Sequence, residues 1–340
     1  MTRVKRENVA ILGGGSWGTA LAHLLSSSGH NVSLWVFEPD LAQEVRATRL
    51  NRLFLPEIAL PESLFATNDM QEALQGKEVV ISMGPSAFTR AVCSQAVPFM
   101  SADTVVLNAA KGLEPQTLKR MSEVLAEVFS NLQPERIATL SGPTFAVELA
   151  RCRPSAAVVG CRSVKTAKRF QKMLSCGYFR LYTNSDIVGV EFGGALKNIV
   201  AIASGIVDGL GLGPNTQAAL ITRGLSEITL LGAANGAKPV TFQGLSGMGD
   251  LVLTCTSKLS RNYRVGLELA HGKRLKEILA GTKMVAEGIG TTRAALQLSK
   301  MCNVEMPITR QMFEVLFENK SPDEAIKDLM ARPLKQEMSW

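Results

Sequence analysis

The stretch NVAILGGGSWGTALA at residues 8–22 decides the predicted fold. An apolar run of strand type, 9–12, leads into Gly13-x-Gly15-x-x-Gly18, and a helical pattern follows over 17–27. In such a turn the first glycine makes a tight bend, the second lets a pyrophosphate approach the backbone, and the third allows close helix packing. The free N–H groups at the start of the helix favour an anion. The stretch therefore predicts a dinucleotide-binding turn.

An acidic residue strengthens this prediction. Glu38 lies twenty residues beyond Gly18, just after the next predicted strand at 32–36. An acid at that place would hydrogen-bond an adenosine ribose. A glycine-rich turn alone is weak evidence, because such turns are common. The alternative interpretation is a purely structural turn with a solvated Glu38.

The chain then shows two kinds of organisation. Short β-rich runs alternate with helical patterns up to about residue 184, and several runs lack polar alternation, as in strands buried on both faces of a parallel sheet. The predicted strands are 9–12, 32–36, 78–83, 104–108, 136–140, 156–159 and 179–182, and the helical patterns between them include 17–27, 87–99, 118–129 and 165–174. Beyond Ser185 the strand signal fades, and helical patterns dominate at 190–207, 216–234 and 291–301.

This organisation predicts an α/β fold, with a Rossmann-type doubly wound, mainly parallel sheet and a second, all-helical domain. We expect a dinucleotide-binding domain at 1–186 and a helical substrate and catalytic domain at 187–340.

Composition excludes several other classes of protein. The net charge of +7 divides evenly, +4 in residues 1–190 and +3 in 191–340, with no basic tail, so we expect no nucleic-acid partner. The six cysteines form no CxxC pair and the three histidines have no ligand spacing, so we expect neither a disulfide framework nor a metal site.

The apolar stretches do not predict a membrane protein. Residues 8–37 carry no charge, but glycines and serines interrupt them. The later stretch 199–207 is far shorter than the ~20 residues that a spanning helix needs. We therefore expect no export signal, no membrane insertion and a cytoplasmic location.

Further candidate residues follow predicted strands or interrupt apolar helices. Lys111 follows the strand at 104–108, and Gly142 and Thr144 follow the strand at 136–140, at the edge where open α/β sheets bind ligands. Lys197, with Asn198 beside it, lies inside an apolar helical pattern, where a charge must either snorkel or face a polar cavity. Taken singly, each has a structural alternative: a solvated Lys111, a helix-capping Thr144 or Asp250, and a surface Arg261.

A set of motifs, in order along the chain, favours functional roles for these residues over the structural alternatives. These are GGGSWGTALA (13–22), AAKGLE (109–114), SGPTFAVELA (141–150), GGALKNIVAIASGIVDGLG (193–211), ITRGL (221–225), GLSGMGDLVLTCTSKLSRN (244–262) and MVAEG (284–288). Together they cover nearly the whole chain and resemble the NAD(P)-dependent glycerol-3-phosphate dehydrogenases. The resemblance implies hydride transfer that interconverts dihydroxyacetone phosphate and sn-glycerol 3-phosphate, a precursor of phospholipids. It also implies a homodimer.

The resemblance implies roles for particular residues. Lys197 would be the catalytic lysine, which exchanges a proton with the substrate oxygen, and burial or a neighbouring cation such as Lys111 would lower its pKa toward neutrality. The other catalytic-site residues would be Asp250, Thr254 and Asn198. The substrate would contact Lys111, Gly142, Thr144, Lys197, Asp250, Ser260, Arg261 and Asn262, with Arg261 pairing with the phosphate.

For the cofactor, the glycine turn and the resemblance together indicate Gly13, Gly15, Ser16, Trp17, Gly18, Phe37, Glu38, Lys111, Ala146, Arg261, Val285 and Glu287. Phe37 replaces a basic or histidine residue that many relatives have at this position. The 2′-phosphate of NADP would therefore lack its cation and would meet Glu38. Of NAD and NADP we favour NAD, although Arg46 or Arg49 could supply a cation. The alternatives are another hydroxy-acid dehydrogenase with this pair of domains, or an NAD sensor without turnover.

Overall fold

The computed structural model describes residues 6–281, 285–334 and 336–337. Its sheet has the strand order β3-β2-β1-β4-β5-β6-β7-β8. The strands are β1 (Asn8–Leu12), β2 (Asn31–Trp35), β3 (Phe65–Thr67), β4 (Val79–Ser82), β5 (Val105–Asn108), β6 (Ile137–Ser141), β7 (Ser155–Gly160) and β8 (Phe179–Asn184). Only the β6–β7 pair is antiparallel among these described pairs. The predicted doubly wound, mainly parallel sheet is confirmed.

Seven helices accompany the sheet, namely α1 (Ser16–Ser27), α2 (Pro39–Thr48), α3 (Met70–Leu74), α4 (Thr89–Ala96), α5 (Met121–Val128), α6 (Ala146–Ala150) and α7 (Val164–Leu174). Alternate residues of β1 point to opposite faces. Val9 and Ile11 join a core that contains residues of α1, α2 and α7, whereas Ala10 and Leu12 join a core that contains residues of α3, α4 and α5. The sheet is thus covered on both faces, which explains why its strands are continuously apolar.

The rest of the described chain is helical, as predicted. It contains α8 (Ile187–Gly209), α9 (Gly213–Ala234), α10 (Asp250–Cys255), α11 (Arg261–Ala270), α12 (Leu275–Ala280), α13 (Glu287–Met301), α14 (Pro307–Phe317) and α15 (Pro322–Met330). A separate apolar core forms among most of these helices. Helix α11 crosses α8 closely, because Gly205 and Gly266 lie at the crossing, where a Cβ on either would overlap backbone of the opposite helix.

Helix α8 is longer than the apolar stretch that the sequence analysis identified at 199–207. Its 23 residues are long and apolar enough to cross a membrane by length and composition alone. However, 89% of its most apolar window is buried inside the protein. Most of its surface is apolar, as expected for a helix at the centre of a core, and Lys197 and Asn198 are exceptions.

Other differences from the sequence analysis have local causes. Strand β3 was not predicted, because it has only three residues. The helical pattern at 118–129 begins as a helix only at Met121, since Leu118 has a left-handed backbone with φ of 61°. The pattern at 87–99 is an α-helix only over Thr89–Ala96, and Pro98 lies in the tighter 3₁₀ turn that follows.

Candidate active site

A buried cluster of charged side chains joins the sheet to the helical core. Lys197 of α8 donates hydrogen bonds to Asp250 Oδ1 and, at 2.6 Å, to Thr254 Oγ1 of α10. Lys111, which follows β5, donates to Asp250 Oδ2 at 2.6 Å. We call Lys111, Lys197, Asp250 and Thr254 the lysine–aspartate cluster. One carboxylate therefore holds two lysines that lie 86 residues apart in the sequence.

Burial controls the electrostatics of this cluster. Asp250 is inaccessible to solvent and Lys197 is nearly so, whereas Lys111 is partly exposed. Desolvation lowers the pKa of Lys197 to about 8; Asp250 opposes this shift, and the positive charge of Lys111 adds to it. An amine with such a pKa can both give and take a proton near neutral pH. Asp250 begins α10 but its carboxylate binds the lysines, so the helix-capping interpretation was wrong.

The residues that follow β6 approach the same cluster. Lys111 Nζ also donates to the carbonyl oxygen of Gly142 at 3.2 Å, and Thr144 Oγ1 donates to that oxygen at 3.3 Å. Thr144 does not cap α6, since Phe145 occupies the N-cap position. Ser141, just before them, has a buried Oγ with no hydrogen-bond partner in the described structure. The sequence analysis assigned no role to Ser141.

Asn198 turns away from the lysine–aspartate cluster. Its Oδ1 accepts a hydrogen bond from Asn262 Nδ2 at 2.9 Å, and Asn262 Oδ1 accepts from the backbone N–H of Gly288 at 2.9 Å. All three residues are buried. The two asparagines thereby join α8, α11 and α13, and within the described residues no hydrogen bond links Asn198 to the lysines.

The start of α11 presents a cation. Ser260 caps the helix, because its Oγ accepts from the backbone N–H of Tyr263 at 3.2 Å. Arg261 follows as the first helical residue and is exposed to solvent. Surrounding protein nevertheless lowers the pKa of Arg261 by desolvation, which the nearby carboxylate of Glu287 opposes. An accessible guanidinium at the start of a helix suits an anionic group.

Glu287, the first residue of α13, reaches the sheet. Its two carboxylate oxygens accept from the backbone N–H of Ser86 at 2.9 Å and from Ser86 Oγ at 2.6 Å. Burial raises the pKa of Glu287, and the bonds from Ser86 oppose this. The sequence analysis missed Ser86, because its partner lies 201 residues away and no motif contains it. Val285 is 41% exposed nearby in the chain, and Met284 of the MVAEG motif lies outside the described residues.

The glycine turn has the backbone that its sequence predicts. Gly13 has φ of 131°, a conformation that favours glycine, and a Cβ on Gly18 would overlap the carbonyl oxygen of Gly13. A Cβ on Gly15 would meet open space. Gly15 is also the N-cap of α1 and has no side chain to satisfy the N–H groups of the first turn, which begins with Ser16. Open space beside unsatisfied donors fits a pyrophosphate.

The turn lies where the strand order reverses. Strand β1 pairs with β2 on one side and with β4 on the other, so this is the topological switch point at which such sheets bind ligands. Trp17, in the first turn of α1, packs against two apolar cores. Ala146 is the first residue of α6, which packs near α1. The cofactor candidates of the sheet thus lie along one edge.

Two further cofactor candidates follow the carboxyl end of β2, the strand beside β1. Phe37 is 73% exposed after β2, with its ring 6.2 Å from that of Trp35, and Glu38 is exposed at the N-cap position of α2. The two arginines considered as cations for a 2′-phosphate have other contacts. Arg46 lies over the ring of Phe65 at 5.6 Å, and Arg49 Nη1 donates to the carbonyl oxygen of Leu64 at 2.9 Å.

Comparison with known proteins identifies the family. The profile described as NAD-dependent glycerol-3-phosphate dehydrogenase N-terminus matches residues 8–167, and the corresponding C-terminus profile matches 186–327. A glycerol-3-phosphate dehydrogenase [NAD(P)+] of Syntrophotalea carbinolica is 54% identical over 97% of this chain and 99% of its own length. One from Citrifermentans bemidjiense is 51% identical with the same coverage. A crystal structure of glycerol-3-phosphate dehydrogenase from Coxiella burnetii has a TM-score of 0.92 and 38% identity, covering 96% of this chain and 99% of that one. The chain therefore belongs to the NAD-dependent glycerol-3-phosphate dehydrogenase family.

Proposed function

We propose that the chain interconverts dihydroxyacetone phosphate and sn-glycerol 3-phosphate by hydride transfer with a nicotinamide cofactor. Family membership supports the reaction and the cofactor class. The observation that carries the chemistry is the buried lysine–aspartate cluster, because a ketone reduction needs a proton donor shielded from water. The nicotinamide supplies the hydride when it is bound.

Lys197 is the proton donor in this proposal. In the reducing direction its ammonium gives a proton to the carbonyl oxygen of the substrate, and in the oxidising direction its neutral amine takes the proton from the C2 hydroxyl. A pKa of about 8 supports both roles. Asp250 and Thr254 fix the position of Nζ through their hydrogen bonds. Lys111 lowers the pKa of Lys197 and stabilises negative charge on the substrate oxygen.

The substrate phosphate binds at Arg261 in this proposal. Its guanidinium matches the geometry of a phosphate oxygen pair, and the N-terminus of α11 adds unsatisfied backbone donors. Ser260 and Asn262 hold this helix start in place, the first as its cap and the second through Asn198 and Gly288. Gly142 and Thr144 lie beside Lys111 and complete the substrate contacts.

The dinucleotide binds along the carboxyl edge of the sheet. The glycine turn would hold the pyrophosphate, and Lys111, Ala146, Val285 and Glu287 would contact the nicotinamide half. Glu38 accepts hydrogen bonds from the adenosine ribose, which favours NAD over NADP. The contacts of Arg46 and Arg49 support this choice, since each arginine already packs or bonds elsewhere.

Further expectations accompany this function. We divide the chain into a dinucleotide-binding domain at 1–186 and a helical substrate domain at 187–340, and the change from β8 to α8 at this position supports the division. The protein acts in the cytoplasm as a homodimer, without membrane insertion, and its product enters phospholipid synthesis. The burial of α8 supports the absence of membrane insertion.

Loss of NADH absorbance on addition of dihydroxyacetone phosphate tests the proposed reaction directly. We expect turnover with this substrate and little with a 2-keto acid, which lacks the phosphate. An NAD sensor would bind NADH without oxidising it, and a hydroxy-acid dehydrogenase would prefer the keto acid. Either result would overturn the proposal.

A further inference from the structure

A cleft lies at the amino ends of the strands, on the opposite side of the sheet from the glycine turn at their carboxyl ends. It has a volume of about 1030 Å³ and is lined by residues that immediately precede strands, including Glu7 before β1, Glu78 before β4 and Thr104 before β5. Helix α7 forms another wall. Because the strands run from this edge to the carboxyl edge, the sheet separates the cleft from the lysine–aspartate cluster. None of these lining residues is among the candidate catalytic, substrate or cofactor residues described above.

The cleft has an excess of positive charge. Six basic and three acidic residues line it, namely Lys77, Arg136, Lys165, Lys168, Arg169, Lys172, Glu7, Glu78 and Asp103. Two of the cations are paired within the wall. Arg169 binds Glu7 through two hydrogen bonds of 3.1 and 2.7 Å, and Arg136 binds Asp103 at 3.0 Å. The four lysines therefore face one remaining carboxylate, that of Glu78.

Three of these lysines share one side of α7. Lys165, Lys168 and Lys172 have the spacing of residues that lie along one face of a helix. All three are exposed, and none has an ion-pair or hydrogen-bond partner in the described part of the chain. Cations on adjacent turns repel one another, so their alignment along the wall of a cleft costs stability unless an anion is present.

Two partly or fully buried polar groups complete the wall. Lys77 is half-buried, and among the described residues its Nζ donates to the carbonyl oxygen of Asn31, at 3.3 Å. Desolvation by burial lowers the pKa of Lys77 to about 8. Thr104 is 1% exposed, and its Oγ1 has no hydrogen-bond partner within the described residues. Buried polar groups are normally satisfied, so Thr104 Oγ1 indicates a missing polar partner.

From these observations we propose that the cleft binds a phosphorylated small molecule with at least two negative charges. The lysines of α7 and Lys77 neutralise its phosphates, and Thr104 donates or accepts a hydrogen bond at the base of the cleft. The volume is large enough for a ligand of nucleotide size. The concave shape and the small number of cations favour a compact solute over an extended nucleic acid. This site is separate from the substrate phosphate site at Arg261.

Pyrophosphate is the probe for the experiment. It is titrated calorimetrically at fixed ionic strength into the NADH-saturated Arg261→Ala variant of the full chain, in which the glycine turn is occupied and the substrate phosphate site is removed. We expect saturable binding at one site. Adding the three changes Lys165→Gln, Lys168→Gln and Lys172→Gln should weaken the affinity at least tenfold. Because these lysines are exposed, the variant should fold with an unchanged circular dichroism spectrum.

The matched control removes the same charge elsewhere. Lys276, Lys300 and Lys327 are exposed lysines on α12, α13 and α15, outside the cleft. Their combined replacement by glutamine in the same background should change the affinity for pyrophosphate less than twofold. Equal weakening by the two sets of changes would show attraction to net charge alone and would overturn the proposal. So would the absence of saturable binding.

Discussion

The glycine turn and the lysine–aspartate cluster are the two regions on which the proposed reaction depends, and they are built in opposite ways. The turn uses backbone groups of consecutive residues, and its key property is an absent side chain at Gly15. The cluster uses long charged side chains from β5, α8 and α10, which meet only in the folded protein. The turn would bind a ligand through the placement of its backbone groups, whereas the cluster would supply a proton and electrostatic stabilisation. The predictions below test this division of roles.

The largest expected effect is at Lys197. Lys197→Met removes the proton donor while nearly preserving the volume of the side chain, so kcat should fall by at least ~10²-fold, as is typical of lost general acid–base catalysis. Asp250 keeps Lys111 as a partner, so we expect the variant to fold. Its NADH affinity should be unchanged. Turnover within about threefold of the parent would mean that the cluster does not supply the proton.

The next effect concerns Arg261 and the substrate phosphate. Arg261→Ala should reduce kcat/KM for dihydroxyacetone phosphate by about 10- to 100-fold, the value of a lost charge-assisted hydrogen bond. Unphosphorylated dihydroxyacetone is the control substrate, because it never forms this pair. An equal loss for both substrates would contradict phosphate recognition at Arg261.

Two glycine substitutions separate folding from cofactor binding at the turn. A methyl group at Gly18 would overlap the backbone of Gly13, so Gly18→Ala should destabilise the protein by about 1–3 kcal/mol. A methyl group at Gly15 meets only open space, so Gly15→Ala should leave Tm unchanged and raise KM for NADH about tenfold. Thermal unfolding and NADH saturation curves measure both effects. Unchanged NADH affinity in Gly15→Ala would place the pyrophosphate elsewhere.

The pH profile tests the charge balance within the cluster. Because Lys197 must be protonated for reduction, kcat/KM for dihydroxyacetone phosphate should be level below pH 8 and decrease above its pKa of about 8. The oxidation of glycerol 3-phosphate should show the opposite trend. Asp250→Asn removes the charge that raises this pKa, so both limbs should move to lower pH by about 1 to 3 units. If the pH dependence of kcat/KM does not move in this variant, the ionisation that produces it belongs to a group other than Lys197.

The smallest effect concerns the choice of cofactor. We expect kcat/KM to be higher with NADH than with NADPH, since Glu38 repels a 2′-phosphate. Glu38→Ala should reduce the ratio of kcat/KM with NADH to kcat/KM with NADPH by at most about tenfold, which corresponds to about 1.4 kcal/mol. Both cofactors must be measured at one ionic strength, because salt screens the phosphate. A tenfold preference for NADPH in the parent would show that a cation near the ribose outweighs Glu38.

The sequence could predict most of the fold but only part of the candidate site. The buried strands and the glycine turn are readable because their chemistry is local: a continuous apolar run, then glycines at fixed spacing. Strand β3 is too short to produce such a signal. The apolar surroundings of Lys197 left both a snorkelling side chain and a polar cavity open, and neither Asp250 nor Lys111 could be assigned as its partner by pattern alone.

The residues that the sequence missed share a physical property. Ser86 bonds to Glu287 from a distant segment, and Ser141 has a buried hydroxyl without a partner in the described structure. Neither property can be read from the sequence, because a serine after a strand is common. Asn198 was grouped with the cluster, yet its side chain binds Asn262 instead. Adjacent helical residues point in different directions, so the neighbour of a buried lysine need not share its partners. Long-range pairing of this kind requires a structure.

The single carboxylate of Asp250 also has a consequence for how the protein is made. Lys111 leaves the ribosome 139 residues before Asp250, so at ~5–20 residues per second it waits roughly 7 to 28 s for its partner. During that interval the nascent sheet carries a cation whose final partner does not yet exist. Lys197, which is more deeply buried, precedes Asp250 by only 53 residues and waits less than half as long.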